Sequence, residues 1–387
     1  MKKLICLKCK QVHSDKLDKK CPGCEGTDLH DFKNSDEYLR NKITLVLEDR
    51  KKLGLYGLVG GLNCIVINTE ADKQKATVEE FLRYTGLEVM EAFEDSDFRT
   101  VVMKTEGSAD FLIRSRKNNN PFLQLNQFPK SREVPNTRLE SLVFKTTDIE
   151  QYVSIQKKRG IKFLTEDIIN TDNFSFVQTV PSKYTGNSIG LIQWHGNETK
   201  YASLKSQPLD WQFRKPNRSE LKNIKNLDHA ATRVKAEDRD AAIIEFMDLT
   251  NYNFEFAIYV KSFNSITNVS RISARDFAMV FTSGISGYID DEKSGPTEKF
   301  VHNYGPRVHH IAFWTEAIDE TVSYLKNCGM GFLLDLVGSP EEGLKQTFSN
   351  PSENTLIVNE YIHRYGDFNG FFTRSNVTLL TGATDKQ

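Results

Sequence analysis

The sequence predicts an α+β chain of four βαβββ units arranged in two halves, with a small four-cysteine metal knuckle in front of them. Three observations carry this reading. An apolar strand followed by a helix with an acidic start and a Gly or Asn end recurs four times. Four of the six cysteines crowd into the first 24 residues. A length of 387 residues exceeds what one domain of ~100–200 residues holds.

The knuckle comes first. Cys6-Leu7-Lys8-Cys9 and Cys21-Pro22-Gly23-Cys24 are two Cys-x2-Cys pairs with eleven residues between them. Each pair can wrap one side of a tetrahedral ion at Zn–S distances of ~2.3 Å. A disulfide framework would spread its pairs over the fold, so the clustering points to a metal in a reducing compartment. The segment resembles a zinc ribbon or rubredoxin-like knuckle. Zn is the favoured ion, although four-thiolate sites also hold iron. His13 and His30 lie nearby and read as surface residues. Cys64 and Cys328 are isolated and read as small core residues.

A connecting helix over 35–53 follows, with Ser35 or Asp36 as its cap. The repeats then begin. The strand–helix pairs fall at 62–67 and 71–85, at 139–144 and 148–159, at 227–234 and 237–250, and at 308–314 and 318–328. Strand-like segments follow each helix, at 87–93, 99–104 and 110–114 in the first unit and at 331–336, 344–349 and 354–362 in the last. A stretch with Pro208 and Pro216 separates the halves. The expected organisation is therefore a knuckle over 1–34, a connecting helix over 35–57, a first half over 58–200, a linker over 201–225 and a second half over 226–387. No amphipathic helix is predicted from Thr373 to Gln387.

Composition narrows the function. Hydrophobic residues at 39% and charged residues at 27% allow a sizeable core. The formal net charge of -1 argues against a general nucleic-acid or membrane-surface binder, which carries a basic excess. No apolar run reaches the ~18 residues of a membrane helix, and the start is too short and too basic for a signal peptide. A cytoplasmic protein is expected.

Comparing the repeats locates the chemistry. The third unit begins Leu227-Asp228-His229-Ala230-Ala231 and the fourth Val308-His309-His310-Ile311-Ala312, so His229 and His310 occupy the same place. Side chains alternate along a strand, so each histidine shares its face with an alanine two residues on, which leaves room for an ion and a ligand. Glu360 sits in the apolar run 355–362, where an unpaired carboxylate is costly and a metal ion would satisfy it. Two histidines and a carboxylate form a facial triad with open positions, the ligand set of non-haem Fe(II). A lone strand histidine is more often a hydrogen-bonded core residue than a ligand; two at equivalent repeat positions, with a glutamate, favour the metal. The first half holds Cys64 and Ser141 at the histidine positions and no carboxylate in 190–195, so it should not assemble the same site. By alternation His309 should point to the face opposite His310. His302 and His363 read as surface residues.

These residues carry a resemblance. The four units resemble the vicinal oxygen chelate fold, and residues 227–364 resemble the 4-hydroxyphenylpyruvate dioxygenase family, through 227–229, Gly305-Pro306-Arg307-Val308-His309-His310-Ile311-Ala312-Phe313, Leu344-Lys345-Gln346-Thr347-Phe348 and 355–364. The resemblance implies that His229, His310 and Glu360 bind Fe(II), and that Gln346 and Phe348 line a substrate pocket. It implies a dioxygenase that decarboxylates and hydroxylates a 2-oxo acid, 4-hydroxyphenylpyruvate or a related aryl pyruvate foremost, with dioxygen as co-substrate. It leaves room for a homodimer. Two other readings stand beside it: a chelate-fold enzyme of extradiol type, which would take a catechol and release no CO2, and a non-catalytic binding protein that uses the knuckle. Metal content separates the last from the first, iron with zinc against zinc alone.

Overall fold

The computed structural model describes residues 3–6, 12–14, 29–31, 35–196, 199–274, 276–368 and 370–387. The four-cysteine knuckle expected from Cys6, Cys9, Cys21 and Cys24 lies outside the described residues, apart from the strand backbone that ends at Cys6. Short strands β1 (Lys3–Cys6), β2 (Val12–Ser14) and β3 (Leu29–Asp31) pair in the order β2-β1-β3. Helix α1 (Asp36–Lys52) follows.

The first half then runs β4 (Val59–Asn68), α2 (Gln74–Tyr84), β5 (Glu88–Glu94), β6 (Phe98–Lys104), β7 (Asp110–Arg116), β8 (Arg138–Thr146), α3 (Ile149–Lys158), β9 (Ile169–Asn170), β10 (Phe174–Gln178) and β11 (Ser188–Trp194). The stretch between the halves is not a free linker. Its strand β12 (Gln207–Pro208) joins the sheet edge beside β5, Tyr201 is buried, and Lys215 Nζ donates to the carbonyls of Thr85 and Leu87. The second half runs β13 (Ile224–Arg233), α4 (Arg239–Leu249), β14 (Asn253–Val260), β15 (Ser265–Arg271), β16 (Ala278–Gly284), α5 (Pro296–Tyr304), β17 (Arg307–Thr315), α6 (Ile318–Asn327), β18 (Val337–Ser339), β19 (Leu344–Phe348), β20 (Val358–Arg364) and α7 (Arg374–Ala383).

Each half forms one mixed sheet. The orders are β12-β5-β6-β7-β4-β8-β11-β10-β9 and β14-β15-β16-β13-β17-β20-β19-β18. The central pair is antiparallel in both, β4 with β8 and β13 with β17, and each member has a parallel neighbour on its other side. Alternation splits the central strands between two environments. Leu227, Ala230, Ile311 and Phe313 join the large core shared with the helices and the other half, where Phe111 stacks on Phe313 at 5.8 Å. Ala231 and Ala312 face the other way, into the cup of the second sheet. The equivalent cup of the first sheet is filled by its own apolar cluster, Cys64, Val66, Val102 and Tyr201 among it.

Three expectations need correcting. The segment 331–336 is not a strand; it carries one isolated bridge, Phe332 to Ser349, and the strand comes later as β18. The last strand starts at Val358, because Leu356 adopts a left-handed φ of 62° in the turn before it. The C-terminal residues do form a helix. Thr373 caps α7 by accepting from the Asn376 N–H, and Asn376, Val377 and Leu380 are buried. Its sequence, RSNVTLLTGA, has weak helix propensity; packing of Val377 and Leu380 over the cup holds it.

Candidate metal centre

The central strands bring the three expected ligands to one point. His229 comes from β13, His310 from β17 and Glu360 from β20, and one ligand atom of each lies within 4.8 Å of the others. Register explains this. His229 pairs across from Ala312, and Ala312 pairs with Glu360, so the small side chain separates the two ligands and leaves the space between them open. Glu360 Oε2 lies 3.0 Å from His229 Nε2 and 3.3 Å from His310 Nε2. Glu360 is 1% exposed, and neither of its oxygens makes a hydrogen bond; nor does His229 Nε2. Buried polar atoms left in this state cost ~1–3 kcal/mol each, and three of them converge here.

Two β-bulges supply the surroundings. On β13, the register passes from Leu227↔Phe313 to His229↔Ala312, which makes Asp228 the extra residue. On β17 it passes from Ala231↔His310 to Thr232↔Val308, which makes His309 the extra residue. A bulge re-aims side chains beside it, and each one here sets a partner next to a ligand. Asp228 Oδ1 accepts from His229 Nδ1 at 2.7 Å, and Arg364 clamps Asp228 with bonds of 2.5 and 3.0 Å. With its Nδ1 proton given to Asp228, His229 presents the Nε2 lone pair to the centre. His309 does not point away from His310 as simple alternation requires: their Nδ1 atoms are 2.8 Å apart, and His309 Nε2 reaches Gln387 Oε1 at 2.8 Å. If Gln387 accepts from His309 Nε2–H, His309 Nδ1 accepts from His310, and His310 Nε2 is left for the centre as well.

Electrostatics follows from this arrangement. Burial opposes charge on His229, but the Glu360 and Asp228 carboxylates outweigh it and raise its pKa to about 9. Burial works against the Asp228 carboxylate too, and Arg364 and His229 hold it well below the usual range. His310 is driven the other way by burial and by His309, His229 and Arg233, and stays neutral. The centre thus attracts positive charge, proton or cation, and offers two imidazole nitrogens and a carboxylate to it.

Gln346 and Phe348 line the same cavity as His310 and Glu360. Gln346 is fully buried with both amide atoms unpartnered, and the Phe348 ring lies 4.7 Å from His310. Phe371 and Phe372 each stand 5.3 Å from His229 and shut it off from water, while Val377 and Leu380 of α7 form the roof. The sequence reading missed Asp228, Arg364, Phe371 and Phe372. One signal was present: Arg364 follows Glu360 by four residues on one strand, hence on one face. The two phenylalanines lie in no regular element and left no periodic trace.

The first half shows what the same scaffold does without ligands. By register, Cys64 and Ser141 replace the histidines, Gly190 replaces Glu360 and Gln178 replaces Phe348. Gln178 Nε2 donates to Ser141 Oγ at 2.6 Å, and a Cβ on Gly190 would lie 2.9 Å from Val143. Burial raises the Cys64 thiol pKa to about 11, so it is no thiolate ligand.

No family model matches the chain, and no curated protein is similar to it by sequence. Solved structures are similar in fold. A mutant of 4-hydroxymandelate synthase from Streptomyces coelicolor superimposes with a TM-score of 0.61 and 14% identity, over 85% of this chain and 98% of that one. A xylose isomerase-like TIM barrel/4-hydroxyphenylpyruvate dioxygenase fusion protein gives 0.61 and 12%, over 90% of this chain and 58% of the fusion. The two mixed sheets with their helices fit a vicinal oxygen chelate-type α+β fold. Among the described residues, no helix is long and apolar enough to cross a membrane.

Proposed function

We propose that the chain is a non-haem Fe(II) dioxygenase that acts on a 2-oxo acid, with the chemistry in residues 226–387 and the first half, 58–200, as its support. One observation carries the proposal: His229, His310 and Glu360 converge in a buried cup with their ligand atoms within 4.8 Å of one another, and Glu360 and His229 Nε2 have no partner outside this cluster. The donor set fits a divalent ion whose remaining positions face a substrate, as in 2-His-1-carboxylate oxygenases. The similar fold of 4-hydroxymandelate synthase and of the dioxygenase fusion supports the same class.

His229, His310 and Glu360 would hold the iron. Bound there, Fe(II) supplies the redox chemistry with dioxygen that oxidative decarboxylation and hydroxylation require. The chain's own residues do the rest. Asp228 and Arg364 fix the His229 ring and its tautomer, and His309 with Gln387 does so for His310. The Gln346 amide, unpaired and aimed into the cavity, is placed to bond an oxygen of the substrate. Phe348, Phe371, Phe372 and the α7 roof keep water out, which strengthens each of these polar contacts.

Anaerobic loading with Fe(II), followed by oxygen and CO2 measurement over a panel of 2-oxo acids and catechols, tests the proposal. A 2-oxo acid should drive oxygen uptake with matching CO2 release, and His229→Ala should abolish both. Uptake driven by a catechol without CO2 would move the chain to the extradiol class. Full uptake by His229→Ala would remove the site altogether.

A further inference from the structure

The cavity next to the three ligands is distinguished by the polar groups on its wall rather than by its size. Its volume is ≈ 40 Å³, room for roughly three waters at ~10–15 Å³ each. Six hydroxyl side chains, those of Ser265, Thr267, Thr282, Thr297, Thr381 and Thr384, stand in an otherwise largely apolar wall, and Thr282 Oγ1 is buried without a hydrogen-bond partner. Arg233 faces the same space. It follows His229 by four residues on β13, so both side chains project into the cup.

Arg233 is 4% exposed and stacks on Phe300 at 4.7 Å. Of its five N–H donors, Nη2 serves Thr384 Oγ1 at 2.8 Å and Nη1 makes a long contact of 3.4 Å to the Pro296 carbonyl. Among the described residues no carboxylate forms an ion pair with it. Burial with no compensating anion pushes its pKa down to about 9. A buried cation left in this state is costly, by several kcal/mol per ion, and the planar guanidinium fork matches a carboxylate better than any other acceptor.

We infer that Arg233 binds a carboxylate at the tail of the substrate, so that the site takes a compact 2-oxo acid with a second carboxylate remote from the metal. This rests on the metal reading above and narrows its substrate class from an aryl tail to an anionic one. The unpartnered Thr282 hydroxyl would donate to a carboxylate oxygen that the fork leaves over, a task it could not perform for a phenyl ring.

The test is calorimetric binding to the full chain loaded anaerobically with Co(II), using 2-oxoglutarate, 2-oxopentanoate and phenylpyruvate as probes. The first two share chain length and differ in tail charge. Wild type should prefer 2-oxoglutarate by about tenfold or more. Arg233→Met should lose that preference while still taking up Co(II), and Arg233→Lys should keep part of it. Equal or tighter binding of 2-oxopentanoate or phenylpyruvate to wild type overturns the inference and needs no variant to fold. So does a preference that survives in Arg233→Met. A failure of the metal reading shows separately, as absent Co(II) uptake at the triad before any tail is compared, and takes the inference with it.

Discussion

Replacing Glu360 with Gln isolates the metal's contribution to the second half. The substitution keeps volume and shape in a site that is 1% exposed and removes the one negative ligand. In wild type, an ion that binds only the folded chain adds ~2.7 kcal/mol at a concentration 100 times its Kd. A unit of 150–250 residues shifts its Tm by ~2–4 °C per kcal/mol. Co(II), a stand-in that does not react with oxygen at once, should therefore raise the melting temperature by roughly 5–10 °C. Glu360→Gln should show less than about a fifth of that increment, because the neutral amide neither balances the ion's charge nor replaces the carboxylate as donor. Differential scanning calorimetry of both proteins, with and without metal, reads the increments directly. Comparing increments cancels any metal bound elsewhere in the chain and any change in metal-free stability. An undiminished increment in Glu360→Gln would refute the placement of the ion.

Other outcomes follow from the same geometry. Asp228→Asn, which slackens the Arg364–Asp228–His229 brace, should weaken Co(II) binding by ~10–100-fold with the fold intact, as loss of a partner hydrogen-bonded to a ligand does; an unchanged titration would show the brace to be idle. Gly190→Ala, whose Cβ would crowd Val143 at 2.9 Å and Phe176 at 3.1 Å, should cost ~1–3 kcal/mol in urea unfolding yet leave Co(II) affinity alone, since the first half has no part in the site. Asp240, whose pKa burial raises from 3.8 to about 6, gives a pH signature. The folded chain holds its proton more tightly than the unfolded chain, so stability falls as pH rises from 3.8 to about 6 and is level in this respect above that. Asp240→Asn should flatten that fall and be the more stable protein above pH 6; parallel Tm profiles for the two proteins would contradict it. Gln346→Leu should leave metal binding intact and weaken 2-oxo acid binding in calorimetry, and unchanged binding would take Gln346 out of the pocket.

The legible part of the fold was periodic. Strand, acidic helix start and glycine or asparagine stop recur four times, and His229 and His310 stand out because the repeats can be laid over one another. Glu360 was visible as a carboxylate in an apolar run. What the sequence concealed had local physical causes. His309 turned toward His310 because a bulge adds one residue to β17, and a single added residue reverses the parity on which alternation depends. Asp228 owes its position to a second bulge of the same kind. Helix α7 went unforeseen because its stability comes from packing of Val377 and Leu380 over the cup, not from propensity. Arg233 is not legible in the sequence because a strand arginine ordinarily reads as surface, and only the folded cup shows that it is buried.

Anomalous diffraction at the iron edge, from crystals of the full chain grown anaerobically with Fe(II), tests the central claim most directly. The account predicts a peak bonded at ~2.0–2.2 Å to His229 Nε2, His310 Nε2 and a Glu360 oxygen together. Iron bound elsewhere, or to only one of the three, would contradict it.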